Sequence, residues 1–267
     1  MPEGPEVRRY AIDLSKAVTG RSLESIEIVS GRYTKKLPEG FEEFSSSLSL
    51  NILGTGVHGK FMYWLLEDTW SIWSTLGMTG AWSKKSSNHT RVKFLTNDST
   101  VYYNDIRNFG TLKFVKGPKP LLNKLSKLGP DLLSEECPVG LFIQCLRKHN
   151  NKLIVQVLMD QSVVAGVGNY IKSDALWLSG ISPHRKVCEI TDQELLTLNT
   201  SIRDIMTTSF SSGGATIQTY TGFDGSKGEY GSRFLVYNRK VDPLGNNVIK
   251  EKTKDGRSTF WSPEKQS

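Results

Sequence analysis

The hydrophobic pattern of this chain changes once, at the breaker-rich segment KGPKP, residues 116–120. Before it, residues 23–115 contain short β-branched and aromatic runs separated by Gly, Asn and Asp, a texture typical of antiparallel strands. After it, apolar residues recur every three or four positions, as they do in helices. A change of period at a cluster of Gly and Pro predicts a domain boundary. We therefore expect an α+β fold with an N-terminal antiparallel β-sandwich and a mostly helical C-terminal domain.

One helix is predicted ahead of the strands and several follow them. Pro5 can lie in a first helical turn, and apolar residues then recur up to Val18, before Gly20. Later helices are expected at about 121–128, 139–149, 152–160, 169–179 and 191–205. The last of these opens with a capping box, Thr191 and Glu194.

Four segments are expected along the chain: an N-terminal β-sandwich domain over 1–117, a helical domain over 118–210, a flexible glycine-rich loop over 211–232 and a terminal β-hairpin over 233–267. Phe234–Tyr237 and Ser258–Trp261 are the predicted strands of that region, and Asp255-Gly256 is a turn signal.

The net charge indicates a polyanionic partner. Lys and Arg number 34 against 27 Asp and Glu, which leaves +7 and a pI near 9.2. Nucleic acid is the leading candidate, although a lysine excess that only aids solubility is an equal alternative on charge alone. No apolar run approaches the roughly 18 residues of a membrane span, and the N-terminus lacks the features of a signal peptide. We expect no membrane association and an intracellular protein, nuclear or cytoplasmic and not secreted.

The cysteines and histidines do not predict a metal site. Cys137, Cys145 and Cys188 form no C-x-x-C pair, and the 4 histidines have no ligand-like spacing. Reduced thiols and no structural zinc are expected.

The N-terminus carries candidate chemistry. Removal of Met1 would leave Pro2 as a free secondary amine, and an α-amino group with a pKa of about 7.7–8.0 is partly neutral at physiological pH. Such an amine can condense with a sugar aldehyde to a cationic iminium that favours elimination, and Glu3 could move protons beside it. The alternative is a common Met-Pro start with Glu3 as a helix-entry carboxylate.

Five segments occur together in a known order: MPEGPEV at 1–7, HGKFMYW at 58–64, DIRNFG at 105–110, DQSVVAGVGNY at 160–170 and GRSTFWSPEKQ at 256–266. In these segments, and over nearly its whole length, the chain resembles the formamidopyrimidine-DNA glycosylase and endonuclease VIII family. SGRYTKKLPEGF at 30–41 is similar to the zincless, virus-type endonuclease VIII-like members.

The resemblance implies a set of catalytic residues. Family members attack C1′ of a damaged nucleoside with an N-terminal proline, displace the base and cut the strand by successive eliminations. Pro2 and Glu3 match the nucleophile and its acid/base partner. Lys60 matches a lysine that holds phosphate and assists catalysis near the sugar; otherwise it is a solvated lysine at a strand end.

It also implies DNA contacts. GVGN at 166–169 matches the turn of a helix-two-turns-helix element, where Gly168 lets backbone N–H groups approach phosphate and Asn169 adds a donor. Lys172 either extends this basic face or is a solvated helix lysine. Arg257 matches the finger arginine that clamps phosphates beside the lesion.

A flipped-out base leaves a gap in the duplex that side chains must fill. Met78, Arg107 and Phe109 match the family's void-filling residues, although Met78 and Phe109 would otherwise be read as core residues.

The terminal hairpin departs from the commonest family pattern, in which four cysteines bind zinc. Ser262 and Lys265 stand where the second pair would be, and VDPLGNNV at 241–248 lacks the first. A zincless finger that needs no cofactor is expected, with sheet hydrogen bonds and the packing of Phe260 and Trp261 in place of the metal. The usual Glu after the turn is Asp174 here, which leaves its role open.

Together these features predict a monomeric, bifunctional DNA glycosylase and AP lyase that acts on damaged double-stranded DNA by β,δ-elimination. The loop over 211–232 would cap the lesion. GNYIK and segment 30–41 favour oxidised pyrimidines and hydantoins, whereas SGGATIQTY resembles the branch that prefers oxidised purines such as 8-oxoguanine and formamidopyrimidines. Two further classes compete with this prediction: a damage-binding protein without catalysis, and a small-molecule tautomerase that uses Pro2 as a base.

Overall fold

A computed structural model describes residues 2–134, 137–216 and 221–267. It divides into two compact units. The first comprises Pro2, Glu6–Ser126 and Gly213–Gly228, and the second comprises Glu3–Pro5, Lys127–Ser212 and Glu229–Ser267. The chain therefore changes unit within its first six residues, and again on either side of the glycine-rich segment.

Helix α1 opens the protein over Gly4–Val18. Its apolar residues fall on one face, and Val7, Leu14 and Val18 are buried. The helix ends before Gly20, whose φ of +79° lies in the left-handed region that favours glycine. The predicted opening helix is confirmed.

The first unit is built on eight antiparallel strands in the order β5-β7-β6-β1-β2-β3-β4-β8. They are β1 Ser22–Ile28, β2 Leu50–His58, β3 Phe61–Leu66, β4 Trp70–Thr75, β5 Gly80–Ser83, β6 Thr90–Thr96, β7 Thr100–Asp105 and β8 Thr111–Lys116. Pairing of β1 with β2 is confined to Ser22↔Asn51 and Leu23↔Leu50, so the sheet divides there into two four-stranded layers. This is the predicted β-sandwich.

Aromatic packing between the strands forms its core. The Trp82 ring centroid lies 5.2 Å from that of Trp64, 5.0 Å from Phe94 and 5.2 Å from Tyr103. Trp82 also donates its Nε1–H to Ser74 Oγ at 3.1 Å, which satisfies the polar end of a fully buried indole. Two short helices flank the sheet in this unit, α2 Phe41–Ser46 and α3 Pro118–Leu125. The domain boundary was expected after residue 117, but helix α3 follows that position and still belongs to the first unit, which extends to Ser126.

The second unit is mostly helical. Its helices are α4 Val139–Arg147, α5 Ile154–Met159, α6 Asn169–Leu178 and α7 Asp192–Ser211. The predicted capping box is present at α7, where Thr191 Oγ1 accepts from Glu194 N at 3.2 Å and Glu194 Oε2 accepts from Thr191 N at 2.7 Å. Among the described residues, none of the helices is both long and apolar enough to cross a bilayer.

The chain ends in a two-stranded hairpin, β9 Ile249–Lys252 and β10 Ser258–Trp261, joined by the turn 253–257. We call these three segments the finger hairpin. The strand predicted at Ser258–Trp261 is confirmed, but its partner is β9, and the strand predicted at Phe234–Tyr237 is wrong. Residues 235–237 contain bends and a turn, because their three N–H groups pair with a side chain rather than with a strand.

Candidate active site

The start of α6 holds the Glu3 carboxylate. Oε1 of Glu3 accepts from the backbone N–H of Tyr170 at 3.0 Å, and Oε2 accepts from that of Ile171 at 3.3 Å. Both donors belong to the first turn of α6, whose N–H groups have no partner within the helix and whose dipole favours an anion. Glu3 is only 3% exposed, so the helix fixes one carboxyl group in a buried position.

Gly168 makes this contact possible. A Cβ at Gly168 would collide with the Cγ and carboxyl group of Glu3. The φ of Gly168 is −129°, which any residue adopts, so space rather than backbone conformation requires the glycine. Gly4 N also donates to Gly166 O at 2.8 Å, which ties the segment after Glu3 to the same turn.

A glutamine that the sequence reasoning did not single out braces that turn. Gln161 Oε1 accepts from Gly166 N at 3.0 Å, and its Nε2 donates to Val167 O at 3.0 Å. The amide side chain therefore replaces the backbone partners that a sharp turn cannot supply. The sequence signal that could have identified Gln161 is its position inside the family segment DQSVVAGVGNY.

Pro2 directly precedes Glu3 and is buried. It groups with the first unit, whereas Glu3 groups with the second. Lys60 lies in the first unit, in the two-residue turn between β2 and β3 beside Gly59, whose φ is +57°. Lys60 is half-buried at that strand start, as predicted from Gly59-Lys60-Phe61.

Asn169 and Arg257 are brought to adjacent parts of the second unit. Asn169, the first residue of α6, donates its Nδ2–H to Ser258 O at 2.8 Å. Arg257 precedes Ser258 in the finger hairpin and is exposed. The helix start that holds Glu3 and the arginine predicted to clamp phosphate are thus joined through one side chain.

Lys172 is neither part of a basic surface nor a solvated helix lysine, so both readings of it are wrong. It is fully buried, and its Nζ lies 2.5 Å from Asp255 Oδ2 and 2.8 Å from Thr259 Oγ1. Burial lowers the pKa of Lys172, and the hydrogen bond and charge of Asp255 oppose that shift.

Asp174 binds the backbone of residues 235–237, part of the segment that was wrongly predicted to be a strand. Its Oδ1 accepts from Val236 N at 3.0 Å and Tyr237 N at 2.9 Å, and its Oδ2 accepts from Leu235 N at 3.1 Å. Burial raises the pKa of Asp174 to about 6, against the three N–H donors that lower it. The role that the sequence left open for Asp174 is therefore the fixing of a turn.

Met78, Arg107 and Phe109 form one exposed cluster in the first unit. Arg107 Nη1 lies 3.1 Å from Met78 Sδ, and its Cζ lies 4.6 Å from the centroid of the Phe109 ring. Met78 is 37% and Phe109 55% exposed, which removes the alternative that they are core residues. Three side chains that project together from two loops can enter a gap between stacked bases.

Asp105, which the sequence reasoning did not assign, joins those loops. It is 1% exposed, and its Oδ1 accepts from Thr79 Oγ1 at 2.5 Å and from Arg107 N at 3.2 Å. Its Oδ2 accepts from Gly110 N at 2.8 Å. One carboxylate therefore sets the distance between the Met78 loop and the Arg107 loop.

Another carboxylate anchors the glycine-rich segment within the first unit. Glu6 Oε1, which is buried, accepts from Ala215 N at 2.7 Å, and Tyr10 donates its hydroxyl to Thr221 O. Gly228 N donates to Thr216 Oγ1 at 2.8 Å. Residues 217–220 of the expected flexible loop, with the end of SGGATIQTY, lie outside the described residues.

The finger hairpin region does not offer zinc ligands. Ser262 is fully buried and donates its hydroxyl to Glu264 Oε2 at 3.2 Å, and the Lys265 Nζ lies 5.9 Å from the Trp177 ring centroid. Across residues 2–134, 137–216 and 221–267, no group of three or more His, Cys, Asp or Glu could hold a metal ion. A hydroxyl and an ammonium engaged elsewhere do not fit a soft divalent cation.

Three family models match the chain in order. The N-terminal domain model of formamidopyrimidine-DNA glycosylase matches residues 1–112, the H2TH domain model 128–221 and the C-terminal domain model 228–267.

Similar proteins cover the chain from end to end. A formamidopyrimidine-DNA glycosylase of Halalkalibacterium halodurans is 31% identical over 248 residues, which are 90% of this chain and 89% of that protein. The crystal structure of the MutM (Fpg) protein from Thermus thermophilus aligns with a TM-score of 0.88 at 28% identity, covering 99% of this chain and 98% of that one. A complex of a Lactococcus lactis Fpg mutant with Fapy-dG-containing DNA aligns with a TM-score of 0.87 at 28% identity, covering both chains fully.

The close approach of Glu3 to Gly168 can be tested by its effect on the free energy of unfolding. Gly168→Ala should lower the free energy of unfolding by about 1–3 kcal/mol, because the new Cβ forces Glu3 off its two N–H donors. Gly140→Ala is the matched control, since a Cβ there meets nothing within 4 Å and the change should alter stability by less than about 1 kcal/mol. Urea denaturation measures both. In a Glu3→Ala background the Gly168→Ala penalty should vanish; an undiminished penalty would refute the stated cause.

Proposed function

Because the chain belongs to the formamidopyrimidine-DNA glycosylase family, we propose that it excises oxidised purines, formamidopyrimidines and 8-oxoguanine, from damaged duplex DNA and then cleaves the strand by β,δ-elimination. The family is one of DNA glycosylases and AP lyases of base excision repair. The observation that carries the proposal is the buried Glu3 carboxylate held next to Pro2 by the helix that follows the GVGN turn.

The preference for purines revises the expectation from sequence. That expectation favoured pyrimidines on the strength of GNYIK and segment 30–41, but the named relatives are formamidopyrimidine-DNA glycosylases, and one similar structure contains Fapy-dG DNA. Two aromatic residues of those segments have hydrogen bonds within the fold. Tyr33 accepts from Leu112 N at 2.8 Å, and Tyr170 bonds to Ser209 across 3.0 Å. Side chains that support the fold carry little information about which base is bound.

Pro2 is the proposed nucleophile. Its ring nitrogen forms a bond to C1′ while the glycosidic bond to the damaged base breaks, and the base leaves with a proton. Opening of the sugar ring then gives a cationic iminium between Pro2 and C1′. This electron sink labilises a C2′ proton, and its removal expels the 3′-phosphate; a second elimination expels the 5′-phosphate. Glu3 is the proposed proton carrier at the sugar.

Phosphate binding is proposed for Arg257, Asn169 and Lys60. The Asn169 side chain donates to Ser258 O, and the exposed Arg257 is the residue before Ser258, so the two proposed donors are only one residue apart through this contact. A backbone contact to phosphate is also proposed for Gly168, whose lack of a side chain leaves the space that the Glu3 carboxyl group occupies. The protein is proposed to act as a monomer, with the net charge of +7 attracting the DNA at long range.

Borohydride trapping tests the nucleophile. A covalent adduct should form with abasic-site DNA, and its peptide should begin at Pro2. Pro2→Gly should trap at least about a hundredfold more slowly, whereas Pro5→Ala, a proline change in the same segment, should trap at nearly the original rate. An adduct at Lys60 would refute the assignment, and no adduct at all would favour a damage-binding protein without catalysis.

Competition between lesions tests the substrate class. Under single-turnover conditions, excision from duplexes with a formamidopyrimidine or 8-oxoguanine should be at least about tenfold faster than from matched duplexes with 5-hydroxycytosine or thymine glycol. The abasic duplex serves as the control, because its cleavage needs no base recognition. Faster excision of the pyrimidines would restore the reading that the sequence favoured.

Arg107→Ala separates base extrusion from bond cleavage. Because the proposed role of Arg107 is to fill the gap left by the extruded base, excision of a paired lesion should slow by about tenfold or more, while β-elimination at a preformed abasic site should change by less than about twofold. Lys93→Ala, which removes a cation of an exposed ion pair in the same unit, should affect neither rate. Equal slowing on both substrates would mean that Arg107 serves the chemistry or general binding.

A further inference from the structure

The ion pair between Lys172 and Asp255 is buried at both ends. The side chains are 0% and 2% exposed, and Nζ lies 2.5 Å from Oδ2. Removing two charges from water is costly, and apolar residues of similar volume often give equal or greater stability. Such a pair therefore suggests a requirement for geometry rather than for stability alone.

The pair extends into a polar network inside the finger hairpin. Lys172 Nζ also donates to Thr259 Oγ1 at 2.8 Å, and the hydroxyls of Thr259 and Thr253 are 2.6 Å apart. Thr253 in turn donates to Asp255 Oδ1 at 2.5 Å. Thr253 begins the hairpin turn, Thr259 lies in β10, and both are buried, so the lysine is linked to the turn and to one strand of the hairpin.

This network surrounds the backbone of Arg257. Asp255 Oδ1 accepts from Arg257 N at 3.3 Å, and Arg257 O accepts from Thr253 N at 3.0 Å. The backbone N–H and C=O of Arg257 are therefore both hydrogen-bonded within the turn from which its side chain projects. Asp255 uses one oxygen for this turn and the other for Lys172, so displacing Lys172 disturbs the support of Arg257.

The other end of the connection is the helix that holds Glu3. Lys172 follows Tyr170 and Ile171 directly, and these donate the N–H groups that fix the carboxylate. Asn169, on the same turn of α6, makes the second tie to the hairpin through Ser258 O. The finger hairpin is therefore tied to the first turn of α6 at two points, one in its turn at Asp255 and one at the start of β10.

We infer that Lys172 and Asp255 are positioning residues, whose buried pair sets Arg257 in register with Glu3 so that a phosphate bound by Arg257 places the neighbouring sugar at the carboxylate. The inference rests on the phosphate-binding role proposed for Arg257. In this finger hairpin a charged pair thus supplies, without a metal, the rigid support that an isolated two-stranded ribbon lacks.

A double-mutant cycle tests whether the pair acts through Arg257. Asp255→Asn keeps Oδ1 for Thr253 and Arg257 but replaces the oxygen that accepts from Lys172, and Lys172→Met breaks the pair from the other side. Arg257→Ala is then introduced into the unchanged protein and into each variant. The measurement is Kd for a duplex with a tetrahydrofuran abasic analogue between about 50 and 300 mM KCl.

In the unchanged protein, Arg257→Ala should weaken binding about tenfold and reduce the log–log salt slope by about 0.9. With Asp255→Asn or Lys172→Met already present, Arg257→Ala should weaken binding by less than about twofold, because the guanidinium is no longer aimed at the phosphate. The pair Arg185→Met with Glu194→Gln is the control: it removes an ion pair of the same length from the same unit and should leave the tenfold effect intact.

A purely structural role has a different signature. If the pair variants melt at a lower temperature but Arg257→Ala still weakens binding tenfold in them, the inference is overturned. If Lys172→Met does not fold, the isosteric Asp255→Asn cycle decides the question alone. If Arg257→Ala leaves binding of the unchanged protein untouched, the phosphate role fails and this inference with it, while trapping at Pro2 still reports separately on the glycosylase chemistry.

Discussion

The contact between the Glu3 carboxylate and the first turn of α6 constrains much of the second unit. A helix start has unpaired N–H groups, and here two of them bind an acidic side chain that lies more than 160 residues earlier in the sequence. The contact requires Gly168, because any side chain there would occupy the carboxyl position. It also requires the sharp turn braced by Gln161. An N-terminal segment, which would fray if left free, is thereby fixed to a rigid element.

Helix α6, which binds Glu3 at its first turn, also carries three buried polar side chains with partners in the last part of the chain. Lys172 pairs with Asp255, Asp174 binds three backbone N–H groups, and the Trp177 Nε1–H donates to Asp242 Oδ2 at 3.0 Å. Each group would be costly if unpaired, and each partner lies in the C-terminal segment 235–255. The helix therefore specifies by polar pairing how the last part of the chain is arranged. Apolar packing of Phe260 against Trp177 and Val236 completes the attachment.

The errors of the sequence-based prediction share a cause. Phe234–Tyr237 has the β-branched and aromatic composition of a strand, but a carboxylate from another element takes its N–H groups, so no ladder forms. Lys172 has the charge of a surface residue, but a distant aspartate pairs with it in the interior. Composition and local spacing describe a residue's preference, and a buried polar partner far along the chain can override it.

The sequence by itself determined the change from β-sandwich to helices, the opening helix, the capping box at Thr191 and the family, because these follow from local period, breakers and ordered motifs. It also predicted that Met78, Arg107 and Phe109 belong together, which the structure shows as one exposed cluster. Only the tertiary structure decided which groups hold these elements in place. Asp105 at Thr79, Glu6 at Ala215, Asp174 at the turn and Lys172 at Asp255 are all pairings of buried charged side chains with partners far along the chain. Such pairings depend on folding to bring the partners together and to exclude water, and neither condition is written in local sequence.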